Sequence, residues 1–166
     1  MNHRFPVATA LLALLLAGCG SEDPHTRVSK ALGESVLLPA YQGWADTNAQ
    51  LERSAQAFCR GEQSLQQARA DYLAAHHSWA ALQPLMVGPL TENNLAWQVQ
   101  FWPDKKNLVA RQVENLLKAQ PNLTQDALDK GSVVVQGLTA YEYVLFDPNI
   151  DLTDREAQQR YCPLLT

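Results

Sequence analysis

Apolar residues between Ser35 and Cys59 recur mostly every three or four positions: Leu37, Tyr41, Trp44, Leu51, Ala55 and Phe58. That spacing puts them on one face of an amphipathic helix. Pro39 falls in its first turn, where a missing N–H does little harm, and Gly61 supplies a stop. A second helix is predicted from Ser64, with Leu65, Ala68, Tyr72, Ala75, Trp79 and Leu82 as its stripe. Pro84 must end or kink it, and Gly88-Pro89 marks a further break. Residues 85–106 carry no long period. They hold Asn93-Asn94, Trp97 and Phe101-Trp102-Pro103-Asp104, which read as an ordered, aromatic-rich connection. A third helix is predicted from Asn107 to Ala119, stopped by Pro121, with a short helical turn at 124–129.

From Gly131 to Phe146 the chain is apolar on nearly every side. The β-branched run Val133-Val134-Val135 would suit a strand, but no segment of comparable strength exists to pair with it. A central buried helix over 131–146 is the reading that fits. Thr153-Asp154-Arg155-Glu156 has the form of a capping box opening a last helix, which reaches Thr166 without a terminal cap. Internal repeats and low-complexity tracts are not seen. The pattern predicts an all-α protein, an up-and-down bundle of four to five helices.

The first residues follow a different pattern. One basic residue, Arg4, precedes the apolar run Val7–Leu16, which is shorter than the about 20 residues a bilayer span needs. The small pair Ala17-Gly18 and then Cys19 follow. This order is that of a secretory signal. Leu16-Ala17-Gly18-Cys19 resembles the bacterial lipobox. The resemblance implies cleavage after residue 18, a lipid on Cys19 and a place at the periplasmic face of the envelope. Gly20 in the next position points to the outer membrane. Residues 19–30, polar and containing Pro24, read as a flexible tether to a domain over 31–166.

Removing the first 18 residues leaves 148, enough for one core, with twelve basic and seventeen acidic residues, a net of −5. An acidic domain is a poor partner for nucleic acid. With Cys19 lipidated, Cys59 and Cys162 remain. Outside the inner membrane they are expected to pair; the alternative is two buried thiols. A pair would close a loop of about 100 residues, with a stabilisation of about 4–5 kcal/mol in the chain-entropy picture.

The buried segment contains Gly137-Leu138-Thr139-Ala140-Tyr141-Glu142-Tyr143-Val144-Leu145-Phe146. It resembles the signature of the imelysin-like (M75 peptidase) family, Gly-x-His-x-x-Glu followed by an apolar aromatic run. Trp79 ahead of Gly88-Pro89, the Phe101-Trp102-Pro103-Asp104 segment, Cys59 after a Phe, and Arg160-x-Cys162 also agree. Family members are longer, so the chain is expected to be their N-terminal half, truncated after residue 166. The resemblance implies a helical bundle in a bacterial envelope, often linked to iron acquisition, with metal bound in some members.

In those members His-x-x-Glu offers an imidazole and a carboxylate to one ion from one helix face, and further acids come from the second helix and from just before the Trp-Pro segment. Here the corresponding positions are Thr139, Gln83 and Gln100; Glu142 alone keeps the acid. Neutral Thr and Gln oxygens are poor transition-metal ligands, and zinc hydrolysis needs about three good ones. No catalytic residue is therefore assigned, and a divalent or iron ion has only Glu142 as a candidate ligand. Gln83, Gln100, Thr139 and Glu142 form either a remnant polar cluster that specifies packing or a pocket for a polar ligand. His76 and His77 point about 100° apart and read as surface histidines. Trp79, Trp97 and Trp102 are either core or the lining of a groove, with core favoured. No Gly-x-Ser-x-Gly occurs to support acyl transfer. Three functions follow: a non-catalytic envelope lipoprotein that binds a ligand, a metallopeptidase, or a docking module completed by a protein partner or second helical half.

Overall fold

The computed structural model describes residues 23–166. The signal sequence, Cys19 and the first part of the expected tether lie outside the described residues. The chain divides after Pro39 into two compact units.

In the first unit, Pro24–Leu32 forms helix α1. It covers residues 24–30 of the segment that the sequence reading gives as a tether. Asp23 caps the helix by accepting from the Thr26 amide at 3.1 Å, and Pro24 at its first position needs no donor of its own. None of its residues is buried, so local capping rather than packing explains it. A π-helical turn, Gly33–Leu37, comes just before Pro39. A proline ring crowds the carbonyl of a regular α-turn and supplies no N–H, and the wider turn accommodates both demands.

The second unit is an all-α bundle. Its core comes from α2 (Leu38–Cys59), α3 (Leu65–Leu82), α5 (Leu108–Ala119) and α7 (Gly137–Phe146), with short α4 (Leu95–Val99), α6 (Gln125–Asp129) and α8 (Arg155–Tyr161) between and after them. No strand occurs among the described residues. The predicted stripes of α2 and α3 face inward: Leu51, Ala55 and Phe58 on one, and Ala68, Tyr72, Ala75, Trp79 and Leu82 on the other, are buried. Trp44 and Trp79 meet with ring centroids 5.4 Å apart. Helix α7 packs against α3 and α5. A disulfide joins Cys59, the last residue of α2, to Cys162 just past α8, with their Cα atoms 5.7 Å apart.

Three boundaries differ from the sequence expectation. The apolar segment 131–146 is not one helix: Val133–Val135 is a 3₁₀ turn, and α7 begins only at Gly137, whose φ is 60°. An all-apolar run shows burial but does not reveal where the backbone turns. The last helix is capped by Asp154, which accepts from the Ala157 amide at 2.9 Å. Thr153 instead gives its hydroxyl hydrogen to Asp151 at 2.6 Å, so the expected Thr–Glu box does not form. Within 85–106 the short helix α4 appears, opened by Asn94 in the left-handed conformation.

Candidate functional site

The site is built where α3, α7 and the segment leading from α4 to α5 converge. His76 and Ala80 on α3, and Gln83 at its C-cap, follow one another at intervals of four and three, so they share a face. On α7, Thr139, Glu142, Tyr143 and Phe146 do the same. Gln100, Phe101, Trp102 and Asp104 come from the connecting segment. Asp104 anchors that segment by accepting from the Leu108 and Val109 amides at 2.7 and 3.0 Å. Burial would push its carboxyl up, but those amides and that of Lys106 outweigh it and hold the carboxyl below the usual range.

Gln100 is the centre of a hydrogen-bond network. Its Oε1 accepts from Trp79 Nε1 at 2.9 Å and from Gln83 Nε2 at 3.5 Å, and its Nε2 lies 3.0 Å from His76 Nε2. Thr139 is buried and accepts from the Phe101 amide at 2.7 Å. Glu142 is exposed; the Tyr72 hydroxyl donates to its Oε2 at 3.4 Å. Burial first, and then the Glu142 charge, push the Tyr72 phenol far above its ordinary value. The structure thus brings Gln83 and Gln100 into contact and places Glu142 on the same cavity of about 340 Å³ as both, with His76 and Trp102. Thr139 borders the neighbouring cavity of about 270 Å³, which shares Glu142 and Trp102 with the first.

Two expectations are corrected here. His76 is not a free surface histidine, because it is stacked on Tyr72 with centroids 5.8 Å apart and tied to Gln100. Its spacing of seven from Gln83 was the available signal. Of the three tryptophans expected in the core, Trp79 is buried, whereas Trp97 and Trp102 are 54% and 72% exposed. The ring of Trp102 stands at the mouth of both cavities.

A resident metal does not fit these residues. Among the described residues no three His, Cys, Asp or Glu side chains are grouped to hold an ion. Around Glu142 the other side-chain oxygens belong to Gln83, Gln100, Thr139 and Tyr72, and the Asp104 and Asp147 carboxylates on the neighbouring cavity are bonded to the Leu108 and Val109 amides and to Asn149. Gln100 Oε1 already has two donors, and Thr139 Oγ1 serves the Phe101 amide. An ion would have to break these bonds to gain weak neutral ligands. A separate cavity of about 530 Å³ is bordered by Trp44, Leu138, Tyr141 and Leu165. Tyr141 donates to the Leu165 carbonyl at 2.6 Å there, and burial, then the Glu52 charge, push its phenol up to about 12.

An all-α bundle with a polar cluster between a Gly-opened helix and a Trp-Pro segment is the class of protein these observations define. The model of the Imelysin family of M75 peptidases matches residues 37–166. The chain belongs to that family. A crystal structure of an imelysin-like protein from Psychrobacter arcticum superposes with a TM-score of 0.68 at 27% identity, covering 82% of this chain. The chain spans 43% of the length of that relative. No curated protein matches.

Proposed function

We propose that this chain is a non-catalytic envelope lipoprotein whose imelysin-like domain binds a ligand, as a component of an iron-acquisition system. The observation that carries the reading is the bonding state of the cluster. The positions where metal-binding relatives are expected to carry His and acids hold Thr139, Gln83 and Gln100, and these side chains are engaged with one another, with Trp79, with His76 and with the Phe101 amide. Such a cluster fixes two cavity walls without supplying a nucleophile, a general base with a matched partner, or a metal-activated water. Support for the envelope location is the signal pattern and Cys19. The helices of the described residues include none long and apolar enough to cross a membrane.

Two measurements test this. Radiolabelled palmitate fed to expressing cells is expected to label the protein and to be lost on Cys19→Ala; label retained in that variant rules out Cys19 as the anchor. The purified domain, titrated with ferrous, zinc or cupric ion by calorimetry, is expected to show no binding tighter than about 1 μM. Tighter binding abolished by Glu142→Ala overturns the absence of a resident metal, and chelator-sensitive cleavage of a peptide panel overturns the non-catalytic reading in favour of a metallopeptidase.

A further inference from the structure

The 270 Å³ cavity has walls of an unusual kind. Phe101, Trp102, Tyr143 and Phe146 contribute four aromatic rings, and no Lys or Arg lines it. Its carboxylates differ in how far they are already used. Asp104 is spent on the Leu108 and Val109 amides, and Asp147 accepts from the backbone and side chain of Asn149. Glu142 has only the long bond from Tyr72 and takes part in none of the ion pairs among the described residues. All three remain charged, and Glu142 is the least engaged of them, beside aromatic faces that are themselves electron-rich. Phe146 already carries a guanidinium, with Arg69 Cζ 5.4 Å from its centroid. Trp102 is the open ring, and indole gives the strongest attraction to a cation.

These surroundings select among ligands. An anion would meet Glu142 and the negative faces of the rings. A divalent metal needs several oxygen or nitrogen donors converging on one point, and among the described residues no three acidic, imidazole or thiol side chains are so grouped. A monovalent organic cation needs only one carboxylate and a π-face, because its charge is spread over hydrogens or alkyl groups that stay in contact with carbon. The volume equals that of about nine water molecules at about 30 Å³ each, which suits a small amine and not a peptide or nucleotide. We propose that this cavity binds a small organic ammonium ion, its charge facing Glu142 and its alkyl or ammonium hydrogens lying on the Trp102 ring. The inference rests on the binding reading of the site and adds the ligand's class to it.

The test is calorimetric titration of the whole domain with choline chloride and with neohexyl alcohol, its uncharged isostere in which carbon replaces nitrogen. Choline is expected to saturate with a Kd of about 1 mM or tighter, and the alcohol to bind about tenfold more weakly. Glu142→Gln and Trp102→Ala, both at exposed positions, are each expected to weaken choline about tenfold while circular dichroism stays unchanged. Equal binding of the two compounds, or choline binding indifferent to Glu142→Gln, overturns the ammonium site. Zinc chloride in the same cell separates this failure from failure of the broader reading. Submicromolar zinc binding lost in Glu142→Gln overturns the non-catalytic, metal-free reading; no response to zinc or to choline overturns the ammonium site alone.

Discussion

Glu114 on α5 gathers three donors from two other helices: Tyr161 at 2.6 Å, Arg160 at 2.7 Å and Tyr143 at 3.2 Å. Burial pushes its carboxyl up, but the bonds from Tyr161 and Arg160, the Arg160 charge and the Tyr143 bond outweigh it, so the folded value is depressed. A depressed carboxyl stabilises the fold above its unfolded pKa and loses that contribution as pH falls through the folded one. Glu114→Gln is therefore expected to cost about 1–3 kcal/mol at neutral pH. The gap between variant and wild type should narrow below about pH 4. Urea unfolding at both pH values checks it, and a gap of constant size would mean that the charge is not what matters. Asp104 behaves with the same sign, so the Glu114→Gln variant keeps some acid sensitivity of its own. A second residue-scale expectation concerns Thr139. Thr139→Val leaves the Phe101 amide without its partner and should cost about 1–3 kcal/mol, read in the same unfolding experiment. At this scale the sequence named the side chains at the positions where the family resemblance places metal ligands, because a motif position is legible one letter at a time. It did not show that His76 joins Gln100, since that bond depends on how a connecting segment with no periodicity folds back onto α3.

Among elements, Gly137 explains why α7 can begin where it does. Its φ of 60° is left-handed, and a Cβ there would collide with the carbonyl oxygens of Gln98 and Val99 at the end of α4. The glycine therefore lets α7 start against α4 and aims Thr139 and Glu142 toward the segment that follows α4. Gly137→Ala combines the left-handed penalty with overpacking and is expected to destabilise by about 2–5 kcal/mol. Gly43, helical within α2 and with nothing within 4 Å of an added Cβ, is the contrast: Gly43→Ala should be neutral or stabilising by up to about 1 kcal/mol. Equal effects of the two changes in thermal unfolding would refute the close-approach account. The long helices α2, α3 and α5 were readable because each has a clear apolar stripe with polar residues opposite. The break ahead of α7 was not, because Val133 to Leu138 is apolar on several faces and burial alone does not distinguish a 3₁₀ turn from an α-turn. Helix α1 was hidden for the opposite reason: it buries nothing, so its only sequence signal was the Asp23-Pro24 start.

Across the whole molecule, the Cys59–Cys162 bridge closes a 103-residue separation that contains α3 through α8. Few contacts within the domain constrain the unfolded chain over such a span, so the bridge acts mainly by removing unfolded conformations. The pairing was expected from the cysteine count and the signal pattern, with Cys19 set aside as the expected lipid site; the separation of the two thiols in the fold was not readable. In the chain-entropy picture a loop of this length contributes about 4–5 kcal/mol. Replacing both cysteines by serine should leave the far-ultraviolet spectrum of the folded domain intact, since Cys59 and Cys162 are only partly buried and pack against the edge of the buried cluster rather than within it. Its melting temperature should nevertheless fall by about 10–20 °C, and reduction of the wild type should produce a fall of similar size. Parallel scanning calorimetry of oxidised, reduced and doubly substituted protein measures all three. A fall in the serine variant much larger than in the reduced wild type would locate the loss in packing around positions 59 and 162. Matched falls would place it in the unfolded chain, where loop closure acts.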